Sequence, residues 1–173
     1  MTSSTIGDTA LVVLVPEADP AIGKWRALFD SSAHEHMPAH VTVLYPFTPV
    51  GLIDDAEIAA MREFFARQRH GELIFNAIES WPGVLWLDPQ SQECLELLDR
   101  THRRWPEHLP YGRTDIEPVP HLTIGVDIPE TKVGRVRDEI GPQLPLVSRL
   151  DAVDLMVFDG VRWESRRRFP LGG

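Results

Sequence analysis

The apolar residues of this chain recur at two different spacings, one typical of strands and one typical of helices. Short apolar runs bounded by Pro, Gly or acidic residues predict strands at residues 10–15, 38–45, 72–78, 84–87, 119–125, 150–158 and 161–169. Apolar residues three and four positions apart predict four helices, which begin near residues 20, 54, 91 and 129. The predicted order is β-α-β-α-β-β-α-β-α-β-β, with no linker or low-complexity tract between the elements.

Each predicted helix has one apolar face. We expect the buried faces to consist of Ile22, Trp25 and Phe29, then Ile58, Met61 and Phe65, then Leu95, Leu98, His102 and Trp105, and lastly Val133, Val136 and Ile140. Asp54 or Asp55 and Ser91 are expected to cap two of these helices, because a side-chain oxygen there accepts a hydrogen bond from a free backbone N–H. Residues 31–39 and 106–118 are predicted to be loops.

One strand pattern occurs twice and combines an apolar face with a polar one. The first copy reads Pro-Ala-His-Val-Thr-Val-Leu-Tyr around His40, and the second reads Val-Pro-His-Leu-Thr-Ile-Gly around His121. Because successive side chains of a strand point to opposite faces, His40 and Thr42 share one face, as do His121 and Thr123. Two Pro-led copies 81 residues apart are difficult to explain by packing alone.

The paired motif resembles that of the 2H phosphoesterases, a family named for two His-x-Thr/Ser-x motifs, one from each half of a pseudo-twofold fold. The matching segments begin at His40 and His121. The similarity is greatest to the 2′-5′ RNA ligase-like group, which includes 2′,3′-cyclic nucleotide phosphodiesterases. An N-terminal apolar strand and a final strand with an aromatic residue and arginines also follow the family's element order.

The resemblance implies an α+β fold in which two pseudo-symmetric lobes of mainly antiparallel sheet, with outer helices, face each other across a central cleft. We expect residues 1–173 to form a single domain of this kind, with one motif in each lobe. The resemblance also implies an enzyme that requires neither a metal nor a cofactor. Its catalytic residues would be His40, Thr42, His121 and Thr123.

Two imidazoles and two hydroxyls facing one cleft suit the hydrolysis of a 2′,3′-cyclic phosphate. One neutral histidine can deprotonate water while the other, protonated, donates to the departing ribose oxygen. The threonine hydroxyls can stabilise the charge that builds on the phosphate. In reverse, the same site would perform the ligation from which the family name comes. The near-twofold symmetry leaves open which histidine is the acid, and a module that binds a nucleotide or phosphometabolite without turnover is the alternative function.

Two arginines near the end of the chain are weaker candidates for substrate contact. In a regular strand Arg166 and Arg168 share a face, where a cation could neutralise a phosphate. Charges on an edge strand also protect it from aggregation, which is the alternative explanation. Strict alternation along the first motif strand predicts that Tyr45 points away from His40, although a bulge or a twist in the strand would change its direction.

Aromatic residues supply a second group of weaker candidates. Trp81 and Trp86 could stack on a base, or they could simply pack beside the strand turn that they flank. Tyr111 and Arg113 lie in the long loop that precedes the second motif, and loops of this kind often contact substrate.

The segment His34-Glu35-His36, together with the nearby His40, raises the alternative of a metal site. The spacing suits a loop rather than a helical HExxH site, and the sequence positions no further acidic or thiol partner there. We therefore expect a solvated loop and no bound metal.

Composition and charge narrow the choice of substrate and compartment. The net charge of −9 disfavours binding to a nucleic-acid duplex, so a small nucleotide or an RNA end is the better substrate. Cys94 is the lone cysteine, which excludes an intrachain disulfide and a thiolate zinc cluster. Residues 1–10 lack the positive charge of a signal peptide, and no apolar run approaches the length of a membrane span. We expect a cytoplasmic monomer that does not associate with membranes.

Overall fold

The computed structural model describes residues 4–172, and its elements follow the predicted alternation of strands and helices. The strands are β1 (Thr9–Leu14), β2 (His40–Leu44), β3 (Gly71–Phe75), β4 (Ile78–Trp81), β5 (Val84–Leu87), β6 (Leu122–Val126), β7 (Leu146–Leu150), β8 (Ala152–Phe158) and β9 (Trp163–Pro170). The helices are α1 (Asp19–Phe29), α2 (Ser31–His34), α3 (Asp55–Phe65), α4 (Gln92–Arg104) and α5 (Glu130–Ile140).

The strands form three sheets in which all named pairs are antiparallel, so the fold is α+β, as predicted. The first sheet has the order β2-β1-β8-β9, the second has the order β4-β5-β6, and the third consists of β3 and β7. Both motif strands, β2 and β6, are therefore edge strands of their sheets.

The order of elements repeats within the chain and gives the fold its two lobes. The series β1-α1-β2-α3-β3 corresponds to β5-α4-β6-α5-β7, and the last strands of the two series pair with each other. In each series the helix that precedes the motif strand packs against the motif strand of the other series: α1 contacts β6, and α4 contacts β2. Each lobe thus supplies part of the support for the other lobe's motif.

The sequence-based predictions for the helix starts and most buried faces are confirmed. Asp54 accepts a hydrogen bond from the Glu57 N–H at 2.8 Å, and Ser91 accepts one from the Cys94 N–H at 3.3 Å. These side chains cap α3 and α4, a contribution of about 1 kcal/mol each. One residue of the predicted faces is wrong, because Leu95 is exposed and the buried face of α4 runs through Cys94, Leu97, Leu98 and Thr101.

One apolar core holds the lobes together. It includes Leu11 of β1, Phe65 of α3 and Leu122 of β6, all fully buried. Burying a side chain of this size stabilises the folded state by roughly 1.5–3 kcal/mol, so the two motif strands rest on a shared support.

Two predicted strands are each divided in the structure. The strand predicted at residues 72–78 ends at Phe75 and resumes as β4 at Ile78, because β3 pairs with β7 whereas β4 pairs with β5. Similarly, the strand predicted at residues 150–158 is split at Asp151: residues 152–158 form β8, and Leu150 is the last residue of β7, which belongs to a different sheet. The rest of β7 was not predicted as a strand. An apolar run indicates a strand but not the sheet in which its two ends pair.

The predicted loop at residues 31–39 contains one short helix, α2. Asp30 caps it by accepting a hydrogen bond from the Ser32 N–H at 3.0 Å, an interaction that favours a helical turn over an irregular loop. Within residues 4–172, every helix is too short or too polar to cross a membrane.

Candidate active site

The two motif strands lie next to each other across the boundary between the lobes. β2 and β6 belong to different sheets, yet some of their Cα atoms lie within 8 Å of each other. The backbone therefore brings two edge strands, each with a His-x-Thr pair, to one place.

Both motif histidines are held by the backbone in the same way. Nδ1 of His40 lies 2.8 Å from the carbonyl oxygen of Pro38, and Nδ1 of His121 lies 2.7 Å from that of Val119. A carbonyl oxygen can only accept, so each Nδ1 carries a proton and donates it. The second nitrogen, Nε2, then accepts a proton when the ring is neutral and donates one when the ring is charged.

The side chains of both motifs line one cavity of about 590 Å³. His40 and Thr42 reach it from β2, and His121 and Thr123 reach it from β6. The structure thus brings together all four residues that the motifs single out. Such a cavity is large enough for a mononucleotide-sized ligand.

Each motif strand contains a β-bulge directly after its threonine. The extra residue is Val43 in β2 and Ile124 in β6, since the pairing with the neighbouring strand skips one position at each. As a result Val43 and Leu44 both face the core, and Tyr45 lines the cavity with His40. The prediction that Tyr45 points away from His40 is wrong because strict alternation fails at the bulge.

Burial lowers the pKa of both histidines, but their surroundings differ. The pKa of His40 is lowered to about 4, first by desolvation and second by the positive charge of Arg26. The Pro38 carbonyl and the charge of Asp30 oppose this shift. Desolvation also lowers the pKa of His121, against the Val119 carbonyl, and no cation in the described part of the chain contributes there. Near neutral pH, His40 is therefore uncharged.

Three aromatic rings surround His121. The Trp81 and Trp86 rings lie 4.9 and 6.1 Å from the imidazole, both close to perpendicular, and the Tyr111 ring lies 6.2 Å away. Trp81 stacks on Trp86 at 4.5 Å. Trp81 is 38% exposed and lines the cavity, whereas Trp86 is buried behind it. A base could therefore stack on Trp81 rather than on Trp86.

Tyr111 connects the two lobes above the cavity. Desolvation raises the pKa of its hydroxyl, and the nearby Thr42 side chain opposes that shift. Its backbone N–H donates to the Tyr45 carbonyl at 2.6 Å. Its φ of 52° lies in the left-handed region, which is unfavourable for a bulky residue and is offset here by these contacts. The loop before the second motif thus supplies one wall of the cavity.

The two arginines of the last strand do not line this cavity. Arg168 forms ion pairs at 2.9 Å with both Asp154 and Asp151. The pairing of β9 with β8 skips Arg166, so the alternation expected to place it on one face with Arg168 is broken. Contact of either residue with substrate stays a prediction. The arginine that does line the cavity, Arg113, is paired with Asp115.

The His34-Glu35-His36 segment is occupied by other contacts. Nε2 of His34 lies 2.8 Å from the Ala27 carbonyl oxygen, and the Glu35 carboxylate accepts hydrogen bonds from Ser4 and Trp163 at 2.6 and 3.1 Å. Within the described part of the chain, no three or more His, Cys, Asp or Glu side chains are grouped to hold a metal ion.

Sequence reasoning missed two buried charged residues beside the first motif. Arg26 and Asp30 are only 4% and 3% exposed and form an ion pair at 2.9 Å. Their opposite charges at a spacing of four in a predicted helix indicate a pair, but most pairs of this kind are on the surface. The sequence therefore contains a signal for the contact and none for its burial.

Comparison with known proteins was made for the sequence and for the fold. A model of the 2′-5′ RNA ligase superfamily matches residues 14–162. Escherichia coli LigT complexed with 3′-AMP superposes with a TM-score of 0.59 at 16% identity, covering 98% of this chain and 100% of that chain. LigT complexed with NADP+ gives 0.57 at 16% identity and the same coverage. TT0787 of Thermus thermophilus gives 0.62 at 15% identity, covering 96% of this chain and 98% of that one. No curated protein matches by sequence.

Proposed function

The chain belongs to the 2′-5′ RNA ligase superfamily of 2H phosphoesterases, and from this premise we propose that it is a metal-independent phosphodiesterase. Its substrate is a 2′,3′-cyclic phosphate, carried by a nucleotide or by the end of an RNA. The observation that supports this proposal most directly is the matched pair of histidines, each with Nδ1 tied to a carbonyl and Nε2 available to one cavity. A module that only binds its ligand does not require two imidazoles whose Nε2 atoms are both free to transfer a proton.

The unequal surroundings of the histidines favour His40 as the base and His121 as the acid. Nε2 of His40 removes a proton from water, whose oxygen attacks phosphorus. The bond from phosphorus to one ribose oxygen breaks, and Nε2–H of His121 gives its proton to that oxygen. Desolvation and the charge of Arg26 both disfavour a charged His40, whereas at His121 desolvation acts with no contribution from a cation of the described residues.

The two threonines are positioned to stabilise the phosphorane-like transition state. Hydroxyls of Thr42 and Thr123 donate to the non-bridging oxygens, and a single donor of this type contributes about 10²–10³ in rate. With a 5′-hydroxyl in place of water as the nucleophile, the same ring opening would form a 2′-5′ linkage: the bond from phosphorus to the 3′-oxygen breaks, and that oxygen takes the proton from His121. Water is far more abundant than RNA ends, so hydrolysis dominates.

The test is turnover of the four nucleoside 2′,3′-cyclic monophosphates in the presence of EDTA, beside His40→Ala and His121→Ala. We expect EDTA to have no effect, and each substitution to lower kcat about 10²–10⁴-fold because one proton transfer is lost. The matched control is the double variant His34→Ala/His36→Ala, which removes two imidazoles close to His40 and should retain activity.

Three other outcomes would contradict the proposed mechanism. Turnover that survives either motif substitution contradicts the two-histidine mechanism, and loss of turnover in EDTA or in the double variant points to a metal. If the monophosphates and a short RNA with a terminal 2′,3′-cyclic phosphate are both bound but not hydrolysed, the protein is a binding module.

A further inference from the structure

Arg26 is a buried cation whose contacts converge on the segment before the first motif histidine. Its Nε donates to Asp30 Oδ2 at 2.9 Å, and its Nη2 donates to the Met37 carbonyl at 3.0 Å and to Ser32 Oγ at 3.3 Å. One guanidinium thus fixes both ends of the segment from Asp30 to Met37.

That segment leads directly to His40. The residue after Met37 is Pro38, whose carbonyl accepts the Nδ1–H of His40. Any displacement of the Met37 carbonyl would therefore move the hydrogen-bond acceptor that sets the tautomer and orientation of the imidazole. Arg26 itself lies on α1, which packs against β6 of the other lobe. Arg26 therefore connects the helix that packs against the second motif strand to the segment that orients His40 in the first motif.

Stability alone is a poor explanation for this ion pair. Removing two charges from water costs several kcal/mol each, and apolar residues of similar volume often stabilise a protein as well or better. Asp30 is fully engaged, because its other oxygen accepts hydrogen bonds from the Ser32 N–H and Oγ at 3.0 and 2.7 Å. The charged groups that act on His40 among the described residues are Arg26, Asp30 and His121, and Arg26 has the largest effect of these.

We propose that Arg26 is the positioning residue of the first motif, because its guanidinium fixes the segment that orients the His40 imidazole. Its charge adds to desolvation in lowering the pKa of that imidazole. This inference rests on the proposed role of His40 as the base. It assigns Arg26 no contact with substrate.

The test is an NMR titration of the seven histidines, in which His40 is assigned by comparison with His40→Gln. In Arg26→Gln the pKa of His40 should rise from about 4 by about one unit, because the charged group that lowers it most is removed. The acid limb of the kcat/KM profile, which reports the free enzyme, should shift to higher pH with it. At neutral pH kcat should fall about tenfold as the orientation loosens. Arg26→Lys keeps the charge but not the planar fork, so it should restore the low pKa but not the full kcat.

Two further variants separate charge from loosened packing. Asp30→Asn preserves the shape but removes the opposite charge, so the pKa of His40 should not rise. If Arg26→Gln and Asp30→Asn raise it equally, general loosening is the cause and the proposal is overturned. Arg135→Gln is the matched control, because Arg135 also donates through Nε to an acid four residues on, Glu139, but on the surface. Arg135→Gln should leave the pKa of His40 and kcat unchanged.

If Arg26→Gln alone does not fold, Arg26→Gln/Asp30→Asn avoids an unpaired buried carboxylate. His40 should still titrate above its wild-type value there, since Arg26 acts on it more strongly than Asp30 does. If the pKa of His40 in this double variant equals that of the wild type, the proposal is overturned. The titration needs no turnover, so it tests Arg26 even if the proposed hydrolysis fails, and failure of hydrolysis alone leaves the Arg26 result intact.

Discussion

The imidazole of His40, with a pKa of about 4, should make the stability of the protein depend on pH. In the unfolded chain the same ring titrates near 6.5, so between pH 6.5 and 4 the unfolded state binds the proton and the folded state does not. The stability gained from the partly buried neutral ring is complete above about pH 6.5 and declines as the pH falls. The loss for this one group is about 3 kcal/mol by pH 4.

Urea unfolding at pH 7.5 and pH 5.0 measures this coupling. Between these values the wild type should lose about 2 kcal/mol more of its unfolding free energy than His40→Asn, in which the titrating ring is absent. His70→Asn, at an exposed histidine, should keep the wild-type difference. An equal pH dependence in wild type and His40→Asn would show that His40 is not held uncharged in the folded state.

At the level of residues, the sequence predicted which side chains line the site but not the buried residues that hold them in place. His40 and His121 stand out because their pattern is repeated, and repetition can be detected without a structure. Arg26 could not be recognised in this way, since its importance depends on burial and on a contact with a backbone carbonyl. Neither property has a local sequence signal.

At the level of elements, the bulges explain why the direction of Tyr45 could not be predicted. Period-2 alternation holds for a regular strand, but one extra residue after each threonine reverses the side on which later residues lie. In β6 the position that follows the bulge is Gly125, where a side chain would point toward α1 and the loop that follows β6.

Gly125→Ala should therefore destabilise the protein and displace the second motif strand. A Cβ at this position would lie 2.7 Å from Cβ of Phe29 and 2.9 Å from Cδ1 of Ile128, both closer than a normal contact. Forcing one methyl group into a filled core costs typically about 1–3 kcal/mol. Urea unfolding should show this loss, and kcat should fall because His121 and Thr123 precede Gly125 on the same strand.

Gly134→Ala is the control for the same chemical change at an open position. Gly134 lies within α5 and its added Cβ meets nothing within 4 Å, so helix propensity alone should stabilise the protein by about 0.5–1 kcal/mol. Equal effects of the two substitutions would mean that β6 is not tightly packed against α1.

At the level of the whole molecule, the family resemblance of the paired motifs implied the α+β fold correctly, whereas the assignment of strands to sheets could not be predicted. The repeated motif correctly indicated two similar halves. The pairing of β3 with β7 joins the ends of both halves, and each of these strands continues closely into a strand of another sheet. Long-range pairing of this kind is decided by tertiary contacts, which apolar runs alone do not specify.

The charge of the whole molecule predicts how activity should respond to salt and to substrate length. The net charge is −9, and among the described residues that line the cavity Asp30 and Glu35 are acidic while the single arginine, Arg113, is already paired with Asp115. A mononucleotide 2′,3′-cyclic phosphate has one negative charge, whereas a ten-nucleotide RNA with the same end has about ten and is repelled at long range. Salt screens that repulsion over a distance of about 10 Å at 0.1 M.

Between 50 and 200 mM NaCl, kcat/KM for the ten-nucleotide substrate should therefore rise about two- to fivefold, while that for the mononucleotide should change by less than about twofold. This sign is opposite to that of proteins which bind RNA by displacing counterions from phosphates, whose affinity falls steeply over the same range. Steady-state kinetics with both substrates at matched pH makes the comparison, and uncharged sucrose at equal osmolarity controls for effects other than screening. A steep decrease for the RNA alone would reveal a basic surface that engages several phosphates and would contradict a preference for short substrates.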